Sequence, residues 1–146
     1  MKKENSRFEE LSYFTTALQA FLRESHPHLV NDRTLIRTRS ESAAETYERA
    51  VRDGHNVTEA LELANAVLYD GMRFSRYDTL FEVVSEWFPE VEPKRRPEFC
   101  MKMLPVCRTV FDRYAPGDDY ESDPAYRKLL TELTGIIQLN IDEYGI

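Results

Sequence analysis

The chain contains little glycine and no long hydrophobic run, and each shortage excludes a class of protein. Only five of its 146 residues are glycine, and its β-branched residues never gather into the alternating stretches that are typical of strands. No apolar run approaches the ~20 residues that a membrane-spanning helix needs. The sequence therefore predicts neither a β-sheet protein nor a membrane-spanning one.

Cysteine and basic charge are also scarce. The two cysteines, Cys100 and Cys107, have no C-x-x-C spacing and no nearby histidine, which favours free, buried thiols in a reducing compartment. Residues 1–5 lack the apolar core of a signal peptide, so we expect a cytoplasmic location. The formal net charge of −7 disfavours general binding to nucleic acid or to anionic lipid, because phosphate contacts need clustered lysine and arginine.

The sequence motifs of common enzymes are absent as well. There is no glycine-rich phosphate loop, no G-x-S-x-G elbow and no H-E-x-x-H pair. His26 and His28 have no further metal ligands close in sequence, and the acidic stretch 118–123 lacks the twelve-residue calcium-loop pattern. We therefore expect no catalytic residue, no metal ligand and no cofactor. A catalytic set assembled from distant positions would leave no such motif, so that alternative stays open.

What the chain does have is a strong helical pattern. Hydrophobic residues make up 42% of the chain. They recur with the spacing of amphipathic helices, most clearly in residues 56–88. Asn56 with Glu59 has the pattern of a capping box, and Ser75 begins a second helix that Pro89 ends. Two consecutive helices are therefore predicted in this segment.

Similar signals predict two helices before this segment. The first runs over residues 6–25, with Ser6 as its cap, and ends before Pro27. The second begins at Asn31 or Asp32. Its polar middle, residues 37–45, predicts that this helix is the most exposed one and is kinked.

Two further helices are predicted in the last third of the chain. Pro97 suits the first turn of a helix that Pro105 should interrupt. Asp123 caps the last helix, in which Gly135 indicates the close approach of another helix. The sequence thus predicts an all-α protein, a single compact bundle of about six helices, with residues 1–146 as one domain.

One candidate site for a protein partner lies at the junction of the third and fourth helices. Aromatic residues, methionine and arginine crowd there, and these residue types are enriched in the cores of protein interfaces. The predicted partner-binding residues are Tyr69, Met72, Arg73, Phe74 and Tyr77. The first hypothesis is therefore a non-enzymatic accessory protein that binds another protein, and a homodimer stays open.

A nucleic-acid-associated regulator is the alternative hypothesis. Two basic clusters could contact phosphates: Arg33, Arg37 and Arg39 on the second helix, and Lys94, Arg95 and Arg96 elsewhere. Acidic neighbours such as Glu41 and Glu45 favour solvated helix faces instead. A helix-turn-helix role for residues 56–88 is disfavoured, since its recognition helix would be acidic. An acidic decoy of a nucleic-acid-binding protein is a third and weaker hypothesis, which rests on net charge alone.

Several segments together resemble one protein family. They are ELSYF (10–14), AETYERA (44–50), YDGMRFS (69–75), YDTL (77–80), MLPVC (103–107) and TELTG (131–135). In this order they resemble domain-of-unknown-function family 1896 over nearly the whole chain. The resemblance implies a small, all-helical bacterial protein of a kind often encoded with conjugative elements. It implies no activity and no catalytic residues.

Overall fold

The structure, a computed structural model, describes the backbone of residues 2–146 and the side chains from Arg7 onward. Helical residues make up 79% of the chain, and these described residues contain no strand. The α-helices are α1 (Lys2–Ser25), α2 (Arg33–Arg52), α3 (Val57–Leu68), α4 (Arg76–Trp87), α5 (Arg96–Val106), α6 (Arg108–Tyr114) and α7 (Ala125–Tyr144). The prediction of an all-α fold is confirmed.

The chain divides into two compact units, Met1–Met72 and Arg73–Ile146. Unit 1 contains α1 to α3 and unit 2 contains α4 to α7. Each unit buries its own cluster of hydrophobic side chains. That residues 1–146 form one domain stays a prediction. Within the described residues, no helix combines the length and the apolar character that crossing a membrane would demand.

In unit 1, α2 packs against both α1 and α3. The sequence predicts that α2 is the most exposed helix because its middle is polar, but Ser40, Ala43 and Ala44 in that middle are almost fully buried. The small side chains at these positions allow neighbouring helices to approach closely, and α2 continues through them without a break. The core of unit 1 consists of Phe14, Leu18, Leu22, Ile36, Ala43, Ala44, Ala64, Leu68 and Met72.

The helix ends of unit 1 follow the capping signals with one exception. Asp32 accepts a hydrogen bond from the Leu35 N–H at 3.1 Å, and Asn56 accepts one from the Glu59 N–H at 2.8 Å in a full capping box. The first helix begins at Lys2 instead of Ser6. The side chain of Ser6 lies outside the described residues.

In unit 2, α4 packs against α5 and α7, and α6 packs against α7. Ser75 caps α4 by accepting a hydrogen bond from the Asp78 N–H at 3.0 Å. Asp123 accepts one from the Ala125 N–H at the start of α7, at 2.9 Å. The largest buried side chains of this core are Phe88, Phe111, Leu80, Met103, Leu129, Leu133 and Ile137.

Pro105 does not interrupt α5 where the sequence predicts. The proline lies inside the last turn of α5, and the break comes at Cys107, before α6. A proline removes only its own N–H donor from the helix, and the Cys107 N–H still donates to the Met103 carbonyl at 2.8 Å. The late break produces two helices, α5 and α6, where one interrupted helix is predicted.

The predicted close approach at Gly135 is wrong. A Cβ atom added there would meet no heavy atom within 4 Å, and the residue is exposed on α7. Glycine is therefore not required at this position by packing.

Gly135→Ala is expected to raise the free energy of unfolding by about 1 kcal/mol, because alanine loses less backbone entropy in a helix. Urea denaturation followed by circular dichroism would measure the change. Gly54→Ala is the matched control: this residue also has open space around it, but its φ of +97° disfavours a side chain, so a loss of stability is expected. A destabilised Gly135→Ala variant would contradict the packing described above.

Candidate functional site

Most of the predicted partner-binding residues are buried or half-buried within one of the two units. Met72 and Phe74 are only 5% and 8% exposed, and they belong to different cores, those of unit 1 and unit 2. Tyr69 and Tyr77 are half-buried, and burial raises the pKa of both phenols. Only Arg73 is exposed. The structure therefore does not gather the five side chains on the surface of one unit.

Several of these residues have partners within their own unit. The Tyr69 ring meets that of Phe21 edge to face at 4.9 Å in unit 1. In unit 2, Phe74 contacts Tyr120 in the same way at 5.1 Å, and Arg73 lies 3.5 Å from a carboxylate oxygen of Glu121. These contacts stabilise the two units, and partner binding by the five residues stays a prediction.

The basic residues of the alternative hypothesis have separate roles. The Arg39 guanidinium donates to the Val67 and Asp70 carbonyls at 3.1 and 2.8 Å. It thereby binds one carbonyl in the last turn of α3 and one just beyond that helix, where the intrahelical N–H partners run out. Arg96 donates to the Val91 carbonyl at 3.3 Å. The remaining members, Arg33, Arg37, Lys94 and Arg95, are exposed.

The histidines and acidic residues discussed as metal ligands make contacts within the fold. His26 is buried, and its Nε2 lies 2.9 Å from the Met72 carbonyl oxygen. Asp118 accepts a hydrogen bond from the Arg73 N–H. Across the described part of the chain, no group of three or more histidine, cysteine or acidic residues is placed to hold a metal ion.

Both cysteine side chains lie in the core of unit 2 and are free thiols. Burial raises the pKa of Cys100 and of Cys107 to about 12. Because the thiolate is the reactive form, neither side chain is suited to nucleophilic catalysis. The prediction that these cysteines are buried is confirmed.

Neither thiol of the folded protein is expected to react with a disulfide reagent at pH 8, whereas both should react once the protein is unfolded in guanidinium. Ellman's assay in native and denaturing buffer would measure this. Rapid modification of a thiol in the native protein would contradict the assigned burial.

One concave surface of unit 1 was not predicted from the sequence. It is an open groove of about 360 Å³ between α1, α2 and α3. We call it the aromatic groove, and it is lined by Glu9, Glu10, Tyr13, Phe14, Tyr47 and Leu61.

Three aromatic rings form a connected set in the aromatic groove. Phe14 is fully buried, and its ring lies edge to face with Tyr13 at 5.2 Å and with Tyr47 at 6.4 Å between centroids. Tyr13 is 54% exposed, although aromatic side chains are among the strongest contributors to burial. Tyrosine is among the residue types that are enriched where protein interfaces bind most strongly.

Carboxylates outnumber cations beside these rings. Glu10 is half-buried, and its Oε2 has no hydrogen-bond partner in the described structure. Glu48, on the neighbouring α2, pairs with Arg7 at 2.9 Å. The pKa of Glu10 is raised, first by burial, then by the negative charge of Glu48 and by a side-chain hydrogen bond with Glu48, while the charge of Arg7 acts in the opposite direction. Glu9 also lines the aromatic groove, and an excess of carboxylates there favours the arrival of another cation.

A sequence signal for the aromatic groove does exist. The buried stripe of α1 contains Phe14, Leu18 and Leu22. Tyr13 falls outside that stripe and is 54% exposed. Aromatic residues off the apolar face of a helix would have indicated a surface site.

Comparison with known proteins places the chain in a family. The structure is similar to one described as "Crystal structure of protein PG0816 from Porphyromonas gingivalis", with a TM-score of 0.91, 35% sequence identity and 97% coverage of both chains. No curated protein matches the chain significantly. The model of the family described as "Domain of unknown function (DUF1896)" matches residues 6–146. The chain therefore belongs to this DUF1896 family.

Proposed function

We propose that the protein is a non-enzymatic interaction protein whose aromatic groove binds a lysine- or arginine-bearing segment of a protein partner. The observation that carries the proposal is that the exposed Tyr13 and the carboxylates of Glu9 and Glu10 line one open groove. The Oε2 atom of Glu10 has no hydrogen-bond partner in the described structure. The net charge of −7 adds long-range attraction for a basic partner.

Each part of the aromatic groove has a role in this proposal. An ammonium or guanidinium group donates to the unpartnered Glu10 Oε2, and such charge-assisted bonds contribute about 1.5–3 kcal/mol. The same cation lies near the rings of Tyr13 and Tyr47, where cation–π attraction adds about 0.5–2 kcal/mol. The aliphatic stem of the bound side chain packs on Leu61.

The proposal keeps the partner class predicted from the sequence but changes the surface. Residues 69–77 are divided between two cores, and only Arg73 among the predicted residues is exposed. The aromatic groove instead lies within unit 1, where Tyr13 and Glu9 are accessible to a partner.

No catalytic step is part of this proposal. The groove combines aromatic rings with carboxylates and contains no pair of nucleophile and base. We propose a cytoplasmic accessory role, which the two free, buried thiols support. The nucleic-acid alternative has less support, because Arg39 and Arg96 bind backbone carbonyls of their own units.

Isothermal titration calorimetry with a peptide of alternating lysine and leucine tests the proposal, with a glutamate–leucine peptide as the charge control. We expect saturable binding of the lysine peptide at low salt and no binding of the glutamate peptide. Tyr13→Ala should weaken binding about tenfold or more, as loss of an interface aromatic does. Tyr144→Ala, which changes another exposed tyrosine, on α7 in unit 2, should leave the affinity unchanged.

Two outcomes would contradict the proposal. One is the absence of saturable binding by the lysine peptide at low ionic strength, where electrostatic attraction is greatest. The other is an equal loss of affinity in the Tyr13→Ala and Tyr144→Ala variants.

A further inference from the structure

A second groove of unit 1 has the opposite chemistry. It is an open space of about 270 Å³ between α1 and α2. We call it the arginine groove, and its polar lining consists of Thr15, Gln19, Arg33, Arg37, Ser40 and Glu41. None of these residues lines the aromatic groove.

The two arginines of the arginine groove hold charges that the fold does not neutralise. Arg33 and Arg37 are one helical turn apart on α2 and both are exposed. Neither forms an ion pair with any residue whose side chain the structure describes. Like charges at this spacing repel each other, and a bound anion would relieve the repulsion. Arg33 is also the first residue of α2, where the helix dipole favours negative charge.

Ser40 provides the second, independent observation. Its side chain lies at the groove yet is 1% exposed, and its Oγ has no hydrogen-bond partner in the described structure. A buried hydroxyl without a partner is unfavourable by itself, and a serine inside a helix normally donates to the carbonyl four residues earlier. An acceptor atom bound in the groove would satisfy this donor.

We propose that the arginine groove binds the phosphate group of a small phosphate monoester. Arg33 and Arg37 hold two of the phosphate oxygens, since guanidinium groups match phosphate in bidentate geometry. Ser40 Oγ donates to a third oxygen from the floor of the groove, and Thr15 and Gln19 of α1 offer further donors.

Glu41 restricts the class of ligand further. Glu41 lines the arginine groove four residues after Arg37, and its carboxylate repels any phosphate group, so the ligand needs further contacts that offset this repulsion. The carboxylate accepts hydrogen bonds from hydroxyl groups carried beside a phosphate. The ligand chemistry is therefore a phosphate monoester of a polyol, such as a sugar phosphate, and free inorganic phosphate should bind less tightly.

Titration of the full chain, observed by amide NMR spectroscopy, tests this site with three probes: ribose 5-phosphate, inorganic phosphate and a single-stranded oligonucleotide. We expect saturable shifts around residues 33–41 with ribose 5-phosphate and weaker binding of inorganic phosphate. Arg37→Gln should reduce the affinity for ribose 5-phosphate about tenfold or more. Arg52→Gln, which removes an exposed positive charge near the C-terminal end of the same helix, should have no effect.

Ser40→Ala separates binding from folding. Removing a hydroxyl that has no partner should leave the melting temperature unchanged or raise it, while the affinity for ribose 5-phosphate falls. The proposal would be overturned by the absence of saturable shifts with ribose 5-phosphate, by equal effects of Arg37→Gln and Arg52→Gln, or by an oligonucleotide that binds this groove in preference to both small probes. The last result would favour nucleic acid as the ligand. The lysine–leucine peptide tests the aromatic groove and ribose 5-phosphate tests the arginine groove. Failure of one proposal therefore leaves the other standing.

Discussion

Glu10→Lys is expected to weaken binding of the lysine–leucine peptide about a hundredfold. The substitution removes the unpartnered carboxylate oxygen of the aromatic groove and places a positive charge where the bound cation should lie. Loss of a charge-assisted hydrogen bond costs about 1.5–3 kcal/mol, repulsion between like charges adds to this, and each ~1.4 kcal/mol changes affinity tenfold. Calorimetric titration would measure the loss.

Glu62→Lys is the matched control, because it makes the same charge change at an exposed carboxylate of α3 outside the groove. It should change the affinity only a few-fold, through the general field of the protein. If Glu62→Lys and Glu10→Lys weaken binding equally, the attraction comes from net charge and not from the aromatic groove.

The raised pKa of Glu10 adds a second way to separate folding from binding. Burial and the charge of Glu48 raise this pKa above 4.5, so the folded chain binds the proton more tightly than the unfolded chain. The resulting stabilisation is complete below the unfolded pKa and is lost as pH rises through the raised pKa. Glu10→Gln should therefore stabilise the free protein at neutral pH while it weakens peptide binding.

Phe111→Ala is expected to reduce the free energy of unfolding by about 3–5 kcal/mol, which is typical of truncating a buried aromatic residue. Phe111 is fully buried in unit 2. Its ring lies 6.1 Å from that of Phe74 and 5.2 Å from the guanidinium carbon of Arg76. The substitution thus removes an aromatic pair and a cation–π contact as well as buried area.

Chemical denaturation followed by circular dichroism would measure this loss. Phe8→Ala is the control, because it deletes the same group from a side chain that is 71% exposed, and its effect should stay within about 0.5 kcal/mol. Similar losses in both variants would contradict the division between core and surface aromatics on which the aromatic groove depends.

The sequence predicts local structure well, because helix starts are decided by neighbouring residues. The capping box at Asn56 and the cap at Ser75 appear as predicted, and Asp32, one of the two starts predicted for the second helix, is its cap. Errors arise where a position depends on distant residues. Gly135 faces open space and not another helix, and Ser40 is buried because other helices pack against the middle of α2.

The candidate site is harder to predict for the same reason. The rings and carboxylates of the aromatic groove come from three helices, at positions such as Glu10, Tyr47 and Leu61 that are far apart in sequence. The crowded segment 69–77 looks like an interface in the sequence, but the boundary between the two units falls inside it, after Met72. Its aromatic residues are therefore divided between two cores.

Amide NMR mapping of the lysine–leucine peptide on the isotope-labelled full chain tests the central claim most directly. We expect saturable shifts confined to residues 9–14 and to the neighbourhoods of Tyr47 and Leu61, with no comparable change in unit 2. Saturable shifts centred on residues 69–77, or scattered shifts that do not saturate, would show that the basic segment does not bind in the aromatic groove.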